Sequence, residues 1–176
     1  MSIGNEPAQK TWSERFYEDL EVGDVCRSRL GRTISETDNT WFTLLTCNTN
    51  QVHFNDEFAK GTRFGQLLVN SCLTLSIVVG LSVSDTSENA TANLSWEGIS
   101  LPNPVFVGDT LWSESEVLER RESRSRPNVG IVGVRTRGIN QRREVVCEYR
   151  RSFMVYRRDA PEVAGGFPAT ETPWRT

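Results

Sequence analysis

Polar and apolar positions change rhythm several times along the chain, and each change marks an element. After a turn at Gly23-Asp24, the segment VCRSRLGRTIS reads as a first strand. It ends at SETD, where Ser35 followed three residues later by Asp38 fits a capping box, hydroxyl and carboxylate satisfying the free N–H groups of a helix start. Trp41, Leu44 and Leu45 share one face of this helix, which predicts that the face packs inward. The helix hands the chain to a polar loop, CNTNQVHFND. A short helix at about Asp56 to Lys60 and a turn at GTRFG lead into VNSCLTLSIVVGL. There Val69, Leu73, Ile77 and Leu81 fall at helical spacing and Asn70 or Ser71 is a natural N-cap, predicting a helix buried nearly all round. Apolar or alternating segments at about 91 to 101, 110 to 120, 129 to 139 and 143 to 156, separated by PNP, a Gly-Asp pair, RPN and NQRR, predict antiparallel strands. One strand, then helices, then four strands describes an α+β domain whose sheet wraps a central helix.

At 176 residues the chain can bury one ordinary core. Residues 1–13 and 159–176, rich in Pro, Gly, Thr and Ala, read as extended arms around a domain over 14–158. A net charge of -3 and a pI near 5.3 argue against general attraction to nucleic acid, so an anionic ligand must meet a local basic patch. The densest is ERRESRSRP, with Arg120, Arg121, Arg124 and Arg126, and it lacks the interleaved aromatics of a single-strand binder. Cys26, Cys47, Cys72 and Cys147 lie far apart and read as free thiols of a cytoplasmic protein rather than a metal or redox set. The N-terminus does not read as a signal peptide. Polar residues interrupt the longest apolar stretch, which favours a buried helix over a membrane span.

His53 is the only histidine, so any histidine chemistry runs through it. A reference pKa near 6.5 lets an imidazole exchange protons at neutral pH. It stands in a polar loop, where functional groups concentrate, although a lone histidine is more often structural. No second histidine suggests a metal site, and no glycine fingerprint suggests a dinucleotide cofactor.

The run TCNTNQVHFNDEFA resembles the hydratase motif of the MaoC-like (R)-specific enoyl-CoA hydratase family. The resemblance extends from FYEDLEVGD through RTISETD and TRFGQLLVNSCLTL to VRTRGINQRREVVCEYRRSFMVYRR, roughly residues 16 to 158, and its C-terminal half is nearest in wording to the mesaconyl-CoA hydratase, or β-methylmalyl-CoA dehydratase, branch. Asn50 and His53 match the motif; Asn48 stands where the family has an acid, and Gln51 replaces a common proline. The resemblance implies a hot-dog fold, a homodimer or higher homo-oligomer, and reversible hydration of an α,β-unsaturated acyl-CoA, the CoA being part of the substrate and no cofactor being needed. It implies His53 as general base and, in reverse, acid. Asn48, which cannot take a proton, becomes a positioner of water, and the backbone N–H of Ser71 faces the thioester carbonyl at the start of the central helix. Asn50, Arg63, Phe64 and Asn70 become acyl-CoA contacts, Arg63 being the cation nearest in sequence for a dicarboxylic acyl group.

Two further readings stay open. The loss of the acid at Asn48 fits an acyl-CoA-binding module without turnover, or a site in which Asp56 supplies the missing carboxylate. Loop capping is the plain alternative for Asn48 and Asn50. A hot-dog thioesterase is the other enzyme class, disfavoured because VNSCLTLSIVVGL carries no carboxylate.

Overall fold

The computed structural model describes residues 14–163 and Thr172; the N-terminal arm and nearly all of the tail lie outside the described residues. Two short strands open the domain, β1 (Val25–Arg27) and β2 (Arg32–Thr33), followed by helices α1 (Glu36–Leu45), α2 (Asp56–Lys60) and α3 (Ser71–Thr86). Strands β3 (Ala90–Ser100), β4 (Thr110–Glu122), β5 (Val129–Asn140) and β6 (Val145–Tyr156) complete it. The antiparallel sheet runs β1-β4-β5-β6-β3, with β2 also on β4. The α+β hot-dog fold is thus present, α3 lying across the concave face of the sheet against β1, β4, β5 and β6.

The alternation of the long strands explains that placement. In β4, Leu111, Ser113, Ser115 and Val117 are buried while Trp112, Glu114 and Glu116 face outward. In β6, Cys147, Tyr149, Arg151, Phe153 and Val155 are buried. Leu73 and Val78 of α3 meet Ile34, Val105, Leu111, Val146, Cys147 and Tyr149 in one core cluster. Fully burying one such side chain is worth about 1.5–3 kcal/mol. A second cluster under the far end joins Tyr17, Leu20, Val117, Val132, Val134, Phe153 and Val155. A smaller one, Val52, Ala59 and Leu67 with Phe64 and Leu68 beside it, sits beneath the histidine loop.

Four expectations need correction. VCRSRLGRTIS is not one strand: it breaks between Arg27 and Arg32, and both pieces pair with β4. Trp41, Leu44 and Leu45 point outward, 67%, 56% and 77% exposed, while Asn39 and Thr43 take the inner face of α1. The core side of α1 is polar, and hydrophobic spacing does not register a buried hydrogen-bond network. The third correction concerns α3, which exposes Ser71, Cys72, Ser76 and Gly80 along one side. Finally, the start of the tail is not extended: Pro161–Val163 forms a 3-10 turn after a turn at Arg158 and Asp159.

Candidate active site

The site begins with how α1 starts and stops. Ser35 Oγ accepts the Asp38 N–H at 3.1 Å and Asp38 Oδ2 accepts the Ser35 N–H at 2.8 Å, the reciprocal capping box expected from SETD. The bonds from Ser35 and the Arg32 guanidinium hold the Asp38 carboxyl below the usual carboxylate range. At the other end Cys47 turns to φ 55°, its N–H meeting the Leu44 carbonyl and the Asn48 N–H meeting the Thr43 carbonyl, both at 3.0 Å. This pair of bonds is a Schellman closure with cysteine at the left-handed position where glycine is usual. It fixes where Asn48 leaves the helix.

The loop then coils tightly. Asn48 Oδ1 accepts the Asn50 N–H at 3.0 Å, and Asn50 Oδ1 accepts the Val52 N–H at 3.3 Å, capping the 3-10 turn Gln51–His53. Both asparagines therefore spend their oxygens on the loop. The Asn48 amide nitrogen carries no partner among the described residues, which leaves it as a donor.

His53 is buried, and its Nδ1 lies 2.8 Å from the Leu68 carbonyl oxygen. A carbonyl oxygen only accepts, so Nδ1 carries a proton, and in the neutral imidazole Nε2 keeps its lone pair. That is the tautomer a general base needs. The sequence reading missed the residue behind it. Asn39, fully buried on α1, donates from Nδ2 to the His53 carbonyl at 2.7 Å and to the Leu68 carbonyl at 3.1 Å, and accepts the Asn70 N–H at 2.8 Å. Thr43, one turn later, accepts from Asn70 Nδ2 at 3.2 Å. A polar pair four apart on a helix whose other face is apolar was the available clue.

Asn70 caps α3 through Oδ1 on the Cys72 N–H at 3.0 Å. Its side chain is thus held by Thr43 and the helix start. The Ser71 N–H stands in the first turn without a partner among the described residues, at the positive end of the helix dipole. Ser71 lines a cleft of about 240 Å³ together with Arg63, Phe64, Leu68, Thr74 and the loop Leu101–Val105. Arg63 is exposed at its rim, its guanidinium 4.8 Å from the Phe64 ring centre. Of the residues singled out from sequence, Ser71, Arg63 and Phe64 meet in this cleft. His53 does not line it but joins it through Leu68, while Asn48, Asn50 and Asn70 act on the frame.

Asp56 is exposed and paired with Lys60 at 2.6 Å, turned to solvent in the first turn of α2. Of the basic run, Arg120 is engaged by Glu21 at 2.5 Å and lies over the Tyr17 ring. Cys26 and Cys147 are buried, and burial pushes their thiols up, that of Cys147 to about 11. No group of three or more His, Cys, Asp or Glu among the described residues is placed to hold a metal ion. No helix among them is long and apolar enough to cross a membrane.

Against known proteins, a family profile described as mesaconyl-CoA hydratase matches residues 6–174. The chain belongs to the mesaconyl-CoA hydratase family. Mesaconyl-CoA hydratase of Cereibacter sphaeroides is 35% identical over 171 residues, covering 92% of this chain and 50% of that protein. β-Methylmalyl-CoA dehydratase of Chloroflexus aurantiacus is 36% identical over 157 residues, covering 87% of this chain and 44% of that one. The crystal structure of a putative MaoC domain dehydratase from Chloroflexus aurantiacus superposes with a TM-score of 0.81 at 34% identity, covering 96% of this chain and 46% of that one. The chain therefore spans about half the length of the curated mesaconyl-CoA hydratase relatives it matches.

Proposed function

We propose that this protein is a hydro-lyase that reversibly adds water to an α,β-unsaturated acyl-CoA, with mesaconyl-CoA and β-methylmalyl-CoA as the candidate pair. The observation that carries the reading is the His53 Nδ1 bond to the Leu68 carbonyl, which leaves Nε2 as the base, Leu68 itself lining the cleft with Ser71. In the hydration direction Nε2 takes a proton from water, and the hydroxide oxygen bonds to the β-carbon. The π electrons shift onto the thioester oxygen, where the Ser71 N–H and the helix dipole favour the enolate charge. The imidazolium then returns its proton to the α-carbon as the enolate collapses. Asn48 is left to orient the water through its amide N–H, since an amide cannot act as the second acid or base. General acid-base groups contribute about 10²–10⁴-fold each, so one histidine supports a slower enzyme than a two-residue site.

The same reading gives Arg63 to the distal carboxylate of a dicarboxylic acyl group at the cleft rim, with Phe64 against the acyl chain. Its natural setting is a homodimer in the cytoplasm. No cofactor is required by this chemistry.

The second reading, an acyl-CoA-binding protein without turnover, draws on Asn48 itself, whose amide holds the loop through the Asn50 N–H and cannot take a proton from water. One assay separates the two. Purified protein is given mesaconyl-CoA and crotonyl-CoA while the enoyl-thioester absorbance is followed, with His53→Ala alongside. Loss of absorbance with the thioester intact, abolished in the variant, is the expected outcome. Binding of both without any change moves the assignment to the binding protein, and release of free CoA to a thioesterase.

A further inference from the structure

We infer that Asn39 is the positioning residue that sets the tautomer of His53 and couples it to the start of α3. The inference deepens the hydratase reading of the same site and rests on it for its kinetic consequence alone. The Asn39 amide reaches three backbone groups on two separate segments: the His53 carbonyl in the loop, and the Leu68 carbonyl and Asn70 N–H just before α3. The Leu68 oxygen therefore receives two donors, Asn39 Nδ2 at 3.1 Å and His53 Nδ1 at 2.8 Å. With both lone pairs taken and the peptide held, this oxygen has one orientation, and the imidazole must offer it a proton. The bond to the His53 carbonyl fixes the backbone beneath the ring. The bond from Asn70 fixes the N-cap of α3 relative to that backbone. One side chain thereby sets both the base and the N–H group that meets the thioester oxygen, and it touches neither substrate nor the reacting atoms.

Only an amide fits this place. It supplies two N–H donors and one acceptor in a plane, and Asn39 is fully buried, so each group must be matched inside the protein. A carboxylate of the same shape would set negative charge against two carbonyl oxygens. Serine would keep at most one of the bonds.

The chain has one histidine, so the ring ¹⁵N spectrum of histidine-labelled protein reports His53 alone, with no substrate present. At alkaline pH, where the ring has lost its second proton, the expected native spectrum is that of the Nδ1-protonated tautomer. Asn39→Ser is expected to give a mixture of tautomers at unchanged circular dichroism. Its kcat should fall roughly 10- to 100-fold, the scale seen when the partner orienting a functional imidazole is lost, with KM changed far less. Thr43→Val removes the contact to Asn70 and none at Asn39, and is expected to keep the native ring spectrum. A native ring protonated at Nε2, or a folded Asn39→Ser with the native spectrum, overturns the inference. If Asn39→Ser does not fold, the native through-hydrogen-bond coupling from Asn39 Nδ2 to the Leu68 carbonyl decides: its presence upholds the shared acceptor and its absence overturns it. An inactive native protein with the expected spectra would sink the hydratase reading and leave the positioning role standing.

Discussion

Asp109 shows how a single buried carboxylate fastens one wall of the cleft. It follows the loop Leu101–Val105 and is almost closed off from solvent. Its oxygens receive the Phe106 N–H at 3.0 Å, Gln141 Nε2 at 2.5 Å and both arms of the Arg142 guanidinium at 2.7 and 3.0 Å. Burial pushes the carboxyl up, but the bonds from Arg142, Phe106 and Gln141 outweigh it and hold the group below the usual carboxylate range. A carboxyl depressed by folding contributes stability that is complete above its unfolded pKa, about 3.9, and is lost as pH falls through the folded value. Asp109→Asn keeps the shape but turns an amide N–H₂ or a weaker acceptor toward cationic donors. It should cost about 2–3 kcal/mol near neutral pH, the scale of hydrogen bonds to charged groups. Urea midpoints for both proteins check this: the gap should be full at pH 6 and narrow below about pH 4, where the unfolded chain binds the proton first, until the native carboxyl protonates too. A gap that does not change with pH would show that packing, not charge, does the holding.

At the scale of elements, α3 packs closely on the sheet at Gly138 of β5. A Cβ built there would lie 2.4 Å from Val78 Cγ2, inside contact distance, and Val78 is fully buried in α3. Gly138→Ala should therefore push the central helix off the sheet and cost about 1–3 kcal/mol, the usual range for overpacking. A calorimetric melt reads the effect, and Gly138→Ala combined with Val78→Ala should recover part of the loss because the clash has been removed. Full additivity of the two changes would refute the contact. This packing also explains what was legible in the chain. Strands β3 to β6 are apolar or alternating runs set off by turn residues and α3 has helical apolar spacing with a capping asparagine, so length and period revealed them. The box at Ser35 and Asp38 was visible because two side chains three apart suffice to specify it. The inner face of α1 was not visible, since Asn39 and Thr43 do their work against the carbonyls and amides of distant segments. No local pattern encodes that. His53, Ser71, Arg63 and Phe64 were singled out by resemblance, whereas the hub joining the His53 backbone to the start of α3 had no counterpart in sequence spacing. The break in the first strand was hidden as well, because VCRSRLGRTIS carries enough alternation to pass for one run.

For the whole molecule, the apolar surface left uncovered is the most telling feature. Strand β3 ends the sheet on the side away from β1, so one edge of its backbone is unpaired. Leu94, Trp96, Ile99 and Leu101 along it are all exposed, and Glu97 is the one charged residue in the strand. Edge strands that stay single usually carry several charges or a proline, and β3 has only its irregular register against β6 as protection. The same strand runs directly into Leu101–Val105, the wall of the cleft. A second copy pairing along β3 would cover the apolar row and close the cleft beside Ser71 at once. The homodimer proposed above is thereby given a place and a consequence. Light scattering of the native chain should read a dimer at micromolar concentration. Leu94→Lys together with Ile99→Lys should read a monomer, because two buried cations facing their own copies repel and lose their water. The monomer should keep its far-UV spectrum, since those side chains leave the core clusters untouched. Acyl-CoA affinity should fall when the dimer is lost if the partner completes the cleft. A native chain that scatters as a monomer yet binds at full strength would remove β3 as the interface and return the cleft to a single chain.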